Sequence, residues 1–209
     1  MASNPVFIIA VGVLGFAVGI CSDISVLKKW SKFVPAICWL GVAILQGYAH
    51  PAIAFVSPQF PLSIPLIWIG WFCLVLGIVL LTYSLFLEIP FSKTYVKSEE
   101  RKQLVHVGTY ALTRHPGVLW YALLLIGLIL ASRSTWALVA APIWFAMEVL
   151  WIWIEDRYIF EKTITGYDEY KRSTPMVVPT WASARRCWRT LALRRLFAGA
   201  GSGDDVGRT

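Results

Sequence analysis

The chain has 209 residues, 57% of them hydrophobic and 15% charged, with a formal net charge of +7. Ordinary soluble domains are about 45–50% apolar and about 25% charged, so the apolar excess here faces lipid, which excludes a secreted disulfide scaffold, a nucleic-acid module and a disordered tail as the main identity. The positive charge lies in blocks flanking apolar segments, the pattern of contact with an anionic membrane surface.

A bilayer core needs about 20 mostly apolar residues per helix. Stretches 5–22, 33–49, 64–87, 117–131 and 136–154 meet or nearly meet that length, which predicts an all-α, polytopic membrane bundle of about five transmembrane helices. The first stretch lacks a basic leader and a small-residue cleavage site, so it reads as a retained span. Gly15 and Gly19 in it form a GxxxG, expected to serve close helix packing. The connection after the second span carries Pro51, Pro58, Pro61 and Pro65 and no Lys or Arg, and reads as a loop at the outer interface; a re-entrant segment there, leaving four spans, is the alternative. The first connection holds Lys28, Lys29 and Lys32, the third holds Lys93, Lys97, Arg101, Lys102 and Arg114, and ten Lys and Arg follow the fifth span. By the positive-inside rule the N-terminus is outside and the C-terminus cytoplasmic. Cys21, Cys38, Cys73 and Cys187 lie too far apart to read as a metal or disulfide set, and no metal site is expected.

Before the fourth span the chain reads Gly108, Thr109, Tyr110, then Arg114, His115, Pro116, with proline at the first helical position. A basic helix N-terminus with outward N–H groups is a natural anion site, although Arg114 and His115 at a lipid interface also fit simple snorkelling. The fifth span carries Glu148 and ends in Glu155 and Asp156. The seven-residue spacing sets Glu148 and Glu155 on roughly one helix face. A carboxylate inside an apolar span normally faces a partner or a wet cavity; a solvated helix end equally accounts for Glu155 and Asp156. Next come Tyr167 and Tyr170, three apart on a short amphipathic segment closed by Pro175 and Pro179, a spacing that fits packing over the mouth of the bundle and fits core packing alone equally well. From Trp181 onward, Arg185, Arg186, Arg189, Arg194 and Arg195 among Trp and Leu read as an amphipathic surface helix, with 198–209 disordered. The organisation expected is one transmembrane domain, 1–179, with its motifs in 102–179, and a basic amphipathic tail, 180–209.

Together, GxYxxxRHP at a span entrance, an acidic pair at the next span's exit and YxxYxxxxPxxxP after it resemble the isoprenylcysteine carboxyl methyltransferase and phospholipid methyltransferase superfamily, integral membrane enzymes that use S-adenosylmethionine without a Rossmann domain. The resemblance implies methyl transfer to a lipidic or small hydrophobic acceptor, a prenyl-cysteine, an aminophospholipid or a thiol, with no nucleic acid and no obligate protein partner. Carried onto this sequence, it assigns Gln103, Leu104, Val105, Tyr110, Arg114, His115, Pro116, Gly117, Val118 and Glu155 to the S-adenosylmethionine pocket. Trp120, Tyr121, Glu148 and Trp151 fall to the acceptor, with Glu148 the candidate base should the acceptor carry a proton. The sequence departs from the family pattern at Val118, where an aromatic is usual, at Gly166, displaced to directly before Tyr167, and at Trp151, where enzymes acting on a prenylated cysteine carboxylate tend to have arginine. A non-catalytic membrane module or carrier on the same fold and a sterol-reductase-like oxidoreductase are the alternatives.

Overall fold

The structure, a computed structural model, describes residues 4–31, 33–56, 58–88 and 104–200, with side chains to 191. Five apolar helices dominate it: α1 (Pro5–Leu27), α2 (Phe33–Ala54), α3 (Ile64–Thr82), α4 (Pro116–Ser132) and α5 (Thr135–Ile154). Four are long and apolar enough to cross a membrane. The fourth in order, α4, has 17 residues and spans roughly 26 Å at 1.5 Å per residue, close to the ~30 Å of a hydrocarbon core. Apolar side chains such as Phe7, Ile37, Ile44, Trp68, Phe72 and Val79 are exposed along the spans, as a lipid solvent requires.

Each helix starts and stops for a local reason. Asn4 caps α1 through Oδ1, which accepts from Val6 N at 2.9 Å, and proline occupies the first turn of α1, α3 and α4. Ser134 caps α5, its Oγ also donating to Ile53 O at 2.8 Å. The helix α2 runs through Pro51 to Ala54 rather than ending at 49, because proline removes only one bond near its last turn. The loop after it is not free. Phe60 N donates to Arg133 O at 2.9 Å and Thr135 N to Pro58 O at 3.0 Å, tying it to the α4–α5 turn.

Two close hairpins, α1/α2 and α3/α4, are joined by α5, which packs on α1, α2 and α4, while α2 and α3 scarcely touch. Glycine permits the closest approaches. A Cβ on Gly127 would lie 2.3 Å from Leu74 N, and one on Gly77 2.7 Å from Leu124 N, so α3 and α4 meet backbone to backbone. The GxxxG of α1 has the packing role expected of it, though against a ring: a Cβ on Gly19 would sit 2.3 Å from Trp151. Gly127→Ala cannot be absorbed by a side-chain movement and is expected to cost about 1–3 kcal/mol, seen as a lower melting temperature in detergent. Gly47→Ala, with nothing within 4 Å of its Cβ, should melt no earlier than the unaltered protein.

At the end of the bundle where α3 and α5 finish and α4 begins, both exits become π-helical, over Tyr83–Glu88 and Glu155–Ile159. A π turn inserts a residue and changes the face on which its side chains fall. Each here buries a carboxylate, Glu88 in the first and Asp156 in the second. Two short helices, α6 (Phe160–Thr163) and α7 (Tyr167–Ser173), and the longer α8 (Trp181–Ala200) cover this end. The last helix starts where the sequence placed it and includes 198–200, expected to be disordered; 201–209 lie outside the described residues. It rests on the motif loop, with Gly108 N donating to Thr190 Oγ1 at 3.0 Å, and exposes Trp181 and Trp188. The four cysteines are free thiols.

Candidate functional site

A cavity of about 730 Å³ runs from the covered end into the bundle, within the ~300–1,000 Å³ usual for small-ligand sites. Arg114, His115, Glu155, Tyr110, Tyr167 and Phe160 line its mouth; Gln46, His50, Tyr121 and Glu148 line its depth. Phe55, Trp71 and Ile78 line it too while remaining exposed at the surface, so the cavity opens sideways between α2 and α3.

The mouth is organised by Asp156. This carboxylate accepts from Arg114 Nη2 at 3.1 Å and Tyr167 Oη at 2.6 Å, and is ion-paired with Arg114 Nε at 2.9 Å and Lys171 Nζ at 3.6 Å. Arg114 Nη1 also donates to Lys171 O at 2.9 Å and Thr174 O at 3.2 Å. Its guanidinium is therefore buried and spent on structure rather than snorkelling or held open for an anion. The backbone at this entrance is committed as well: Arg114 N donates to Pro175 O at 2.9 Å and His115 N to Met176 O at 3.1 Å. The outward N–H groups expected at 114 and 115 are thus taken by the segment after α7. Tyr170 completes the cover, its hydroxyl donating to Tyr110 O at 2.5 Å. The tyrosine pair holds α7 over the mouth, the first of the two readings its spacing allowed.

His115 stacks on Phe160 with ring centroids 5.6 Å apart, its Nδ1 3.7 Å from Glu155 Oε2 and its Nε2 3.4 Å from Asp156 Oδ1. Burial pushes its pKa below the ordinary 6.5, against the upward pull of Asp156, so the ring is neutral at pH 7. Burial also raises the phenols of Tyr167 and Tyr170 above 10, which keeps both as O–H donors at any physiological pH. Glu155 keeps 18% of its side chain exposed, against 8% for Asp156. Of the two acidic neighbours it is the one turned toward the void, side by side with His115.

On the wall opposite, Gly108 adopts φ +68, a left-handed conformation that glycine takes without strain. That turn brings Thr109 N to Glu88, donating at 3.0 Å to Oε1, and Thr109 Oγ1 also donates to Glu88 Oε2. Glu88 is thereby the anchor of the short helical turn Gly108–Ala111, and Leu104, Val105 and Tyr110 are presented to the cavity.

Of the residues the sequence assigned, Leu104, Val105, Tyr110, Arg114, His115, Pro116, Gly117, Val118, Tyr121, Glu148, Trp151 and Glu155 all line this one cavity. Gln103 lies outside the described residues. Trp120 is not brought there; its Nε1 donates to Ser84 Oγ at 2.8 Å, on the α3 side of α4. Trp151, standing where an arginine was weighed, donates from Nε1 to Asp23 Oδ2 at 2.6 Å, and both line the cavity. Sequence reasoning missed Asp23, Gln46, His50 and Glu88. The first was detectable, being a carboxylate in an apolar span with the same desolvation cost that marked Glu148.

The phospholipid methyltransferase family model matches residues 65–162, from α3 to α6. The match bears out the resemblance to the integral membrane methyltransferase superfamily. No curated protein and no solved structure matches the chain.

Proposed function

We propose that this chain, which carries the phospholipid methyltransferase match over 65–162, moves a methyl group from S-adenosylmethionine to a lipidic or small hydrophobic acceptor inside the bilayer. One observation carries the reading: a single cavity joins a polar, aromatic mouth to an apolar opening between α2 and α3. Such a shape admits a water-soluble ligand from one side and a membrane-dissolved one from the other.

The donor set at the mouth suits S-adenosylmethionine. Its ammonium and sulfonium are cations, and Glu155 together with the rings of Tyr110, Phe160 and Tyr167 offers the negative charge and aromatic faces that hold cations. Leu104 and Val105 form an apolar wall, and neutral His115 supplies polar ring nitrogens; Pro116, Gly117 and Val118 are the first residues of the helix that floors the mouth. When bound, S-adenosylmethionine supplies an activated methyl group. The protein's work is alignment and exclusion of water, which α6 and α7 perform by covering the mouth. Glu148 and Trp151 bound the acceptor's end of the cavity.

By the Lys and Arg asymmetry the mouth faces the cytoplasm and the N-terminus lies outside, which puts the soluble methyl donor on the side from which the mouth opens. Equilibrium binding of S-adenosylmethionine to the detergent-purified protein tests the reading, with NADPH as the comparison. Saturable binding of the sulfonium alone supports it. No binding at millimolar ligand favours a carrier or other non-catalytic module, and preference for NADPH favours an oxidoreductase.

A further inference from the structure

Deep in the cavity, three polar side chains and one carboxylate from three helices line the same stretch: Gln46 and His50 of α2, Tyr121 of α4 and Glu148 of α5. Tyr121 stands five residues into α4, roughly 7–8 Å below its first residue. It is thus within the span, where polar side chains are costly unless they pair with one another or face a cavity, and such groups commonly mark a site.

The hydrogen bonds here fix their own direction. His50 Nδ1 is 2.9 Å from Gln46 O, and a backbone carbonyl only accepts, so Nδ1 carries the ring proton. His50 Nε2, 3.0 Å from Tyr121 Oη, is then the acceptor, and the Tyr121 hydroxyl donates to it. Among the described residues no donor meets either lone pair of Tyr121 Oη, which leaves both for a donor in the cavity. Gln46, on the same cavity, is also short of a donor: its Nε2 donates to Gly12 O at 3.2 Å, while its buried Oε1 has no hydrogen-bond partner among the described residues. The site is short of a donor.

We propose that Tyr121 Oη receives an X–H group of the methyl acceptor, and that Tyr121 and His50 relay its proton. The inference rests on the methyltransferase reading and names the acceptor class within it: a thiol, amine or hydroxyl, rather than an acceptor without a proton to lose. As the lone pair of X forms the bond to the methyl carbon, the carbon–sulfur bond of the sulfonium breaks and its electron pair stays on sulfur. The X–H pair remains on X; its proton passes to Tyr121 Oη while the Tyr121 proton passes to His50 Nε2. The resulting imidazolium keeps its Nδ1–H on Gln46 O, and Glu148 in the same stretch offsets its charge. Tyr121 touches the acceptor and is the catalytic residue; His50 acts through it as a positioning residue. Glu148, the base expected from sequence, becomes the counter-charge.

Tyr121→Phe keeps the ring that packs edge-on to Phe16, and His50→Asn keeps a donor for Gln46 O, so both variants are expected to fold. In nanodiscs, ¹⁵N spectra should show His50 protonated at Nδ1, with the Nε2 resonance moving toward that of an unbonded nitrogen in Tyr121→Phe. A His50 protonated at Nε2, or one indifferent to Tyr121→Phe, overturns the relay. With labelled S-adenosylmethionine and a total polar lipid extract as acceptor pool, each variant should lose about 100-fold or more in kcat while binding S-adenosylmethionine within twofold of wild type. Undiminished kcat in both, or a loss confined to Glu148→Gln, overturns the relay alone. No labelling by the wild type overturns the methyltransferase reading and the relay with it.

Discussion

Asp156→Ala is expected to cost about 3–5 kcal/mol of stability, the penalty for removing one member of a buried ion pair. The Arg114 guanidinium, with 9% of its side chain exposed, would keep its two carbonyl acceptors but lose its counter-charge, and Tyr167 would lose the acceptor of its hydroxyl. The cover over the mouth would loosen with it, because α7 is fastened there through Tyr167. Replacing both charges by apolar residues of similar size, Arg114→Met with Asp156→Leu, should recover only the part of the loss due to the unpaired charge, because Lys171 O, Thr174 O and the Tyr167 hydroxyl stay without their partners. Melting curves in detergent decide it. If the single variant melts like wild type, the cluster does not hold the mouth together.

The second large effect concerns cofactor affinity. His115→Ala and Glu155→Ala are each expected to weaken S-adenosylmethionine binding by about 1–3 kcal/mol, roughly 5–150-fold in Kd, because both line the mouth and lie 3.7 Å from each other. Glu155→Ala should leave melting almost unchanged; His115→Ala should lower it modestly through the lost stack on Phe160. Arg185→Ala, on the exposed face of α8, should alter attachment to anionic membranes and leave cofactor affinity intact. Titration calorimetry or equilibrium dialysis with the three variants separates these outcomes. Unchanged affinity in both mouth variants would return His115 and Glu155 to a purely structural role.

The spans were legible because lipid demands long apolar runs, and the five stretches coincide with α1 to α5 to within a few residues at most ends. Gly15 and Gly19 were legible as packing positions for the same reason: apart from close contact, little else calls for GxxxG in a span. Asp156 was not. Next to Glu155 at a helix end it reads as solvated, and the turn that buries it is π-helical, a register change that leaves no mark in the spacing of apolar residues. Arg114 misled in the opposite way: a basic helix entrance suggests an anion site, yet the partners that occupy it, Asp156, Lys171 O, Thr174 O and Pro175 O, come from 42 to 61 residues further along the chain. His50 stood among prolines and small apolar residues where the sequence suggested loop, and only the continuation of α2 past Pro51 brings it opposite Tyr121. Glu148 and Glu155 could be paired in advance because seven residues of regular helix precede the π turn.

The central claim is that the polar mouth and the lateral opening serve one reaction. It is tested most directly by incubating the purified protein in nanodiscs with methyl-labelled S-adenosylmethionine and a lipid extract, then resolving the organic phase by chromatography. Time-dependent transfer of label into a discrete lipid-phase species, lost in Glu155→Ala at subsaturating donor and in Tyr121→Phe at saturating donor, is the result expected. An organic phase that stays unlabelled, from a folded protein that binds no S-adenosylmethionine at millimolar concentration, would contradict it.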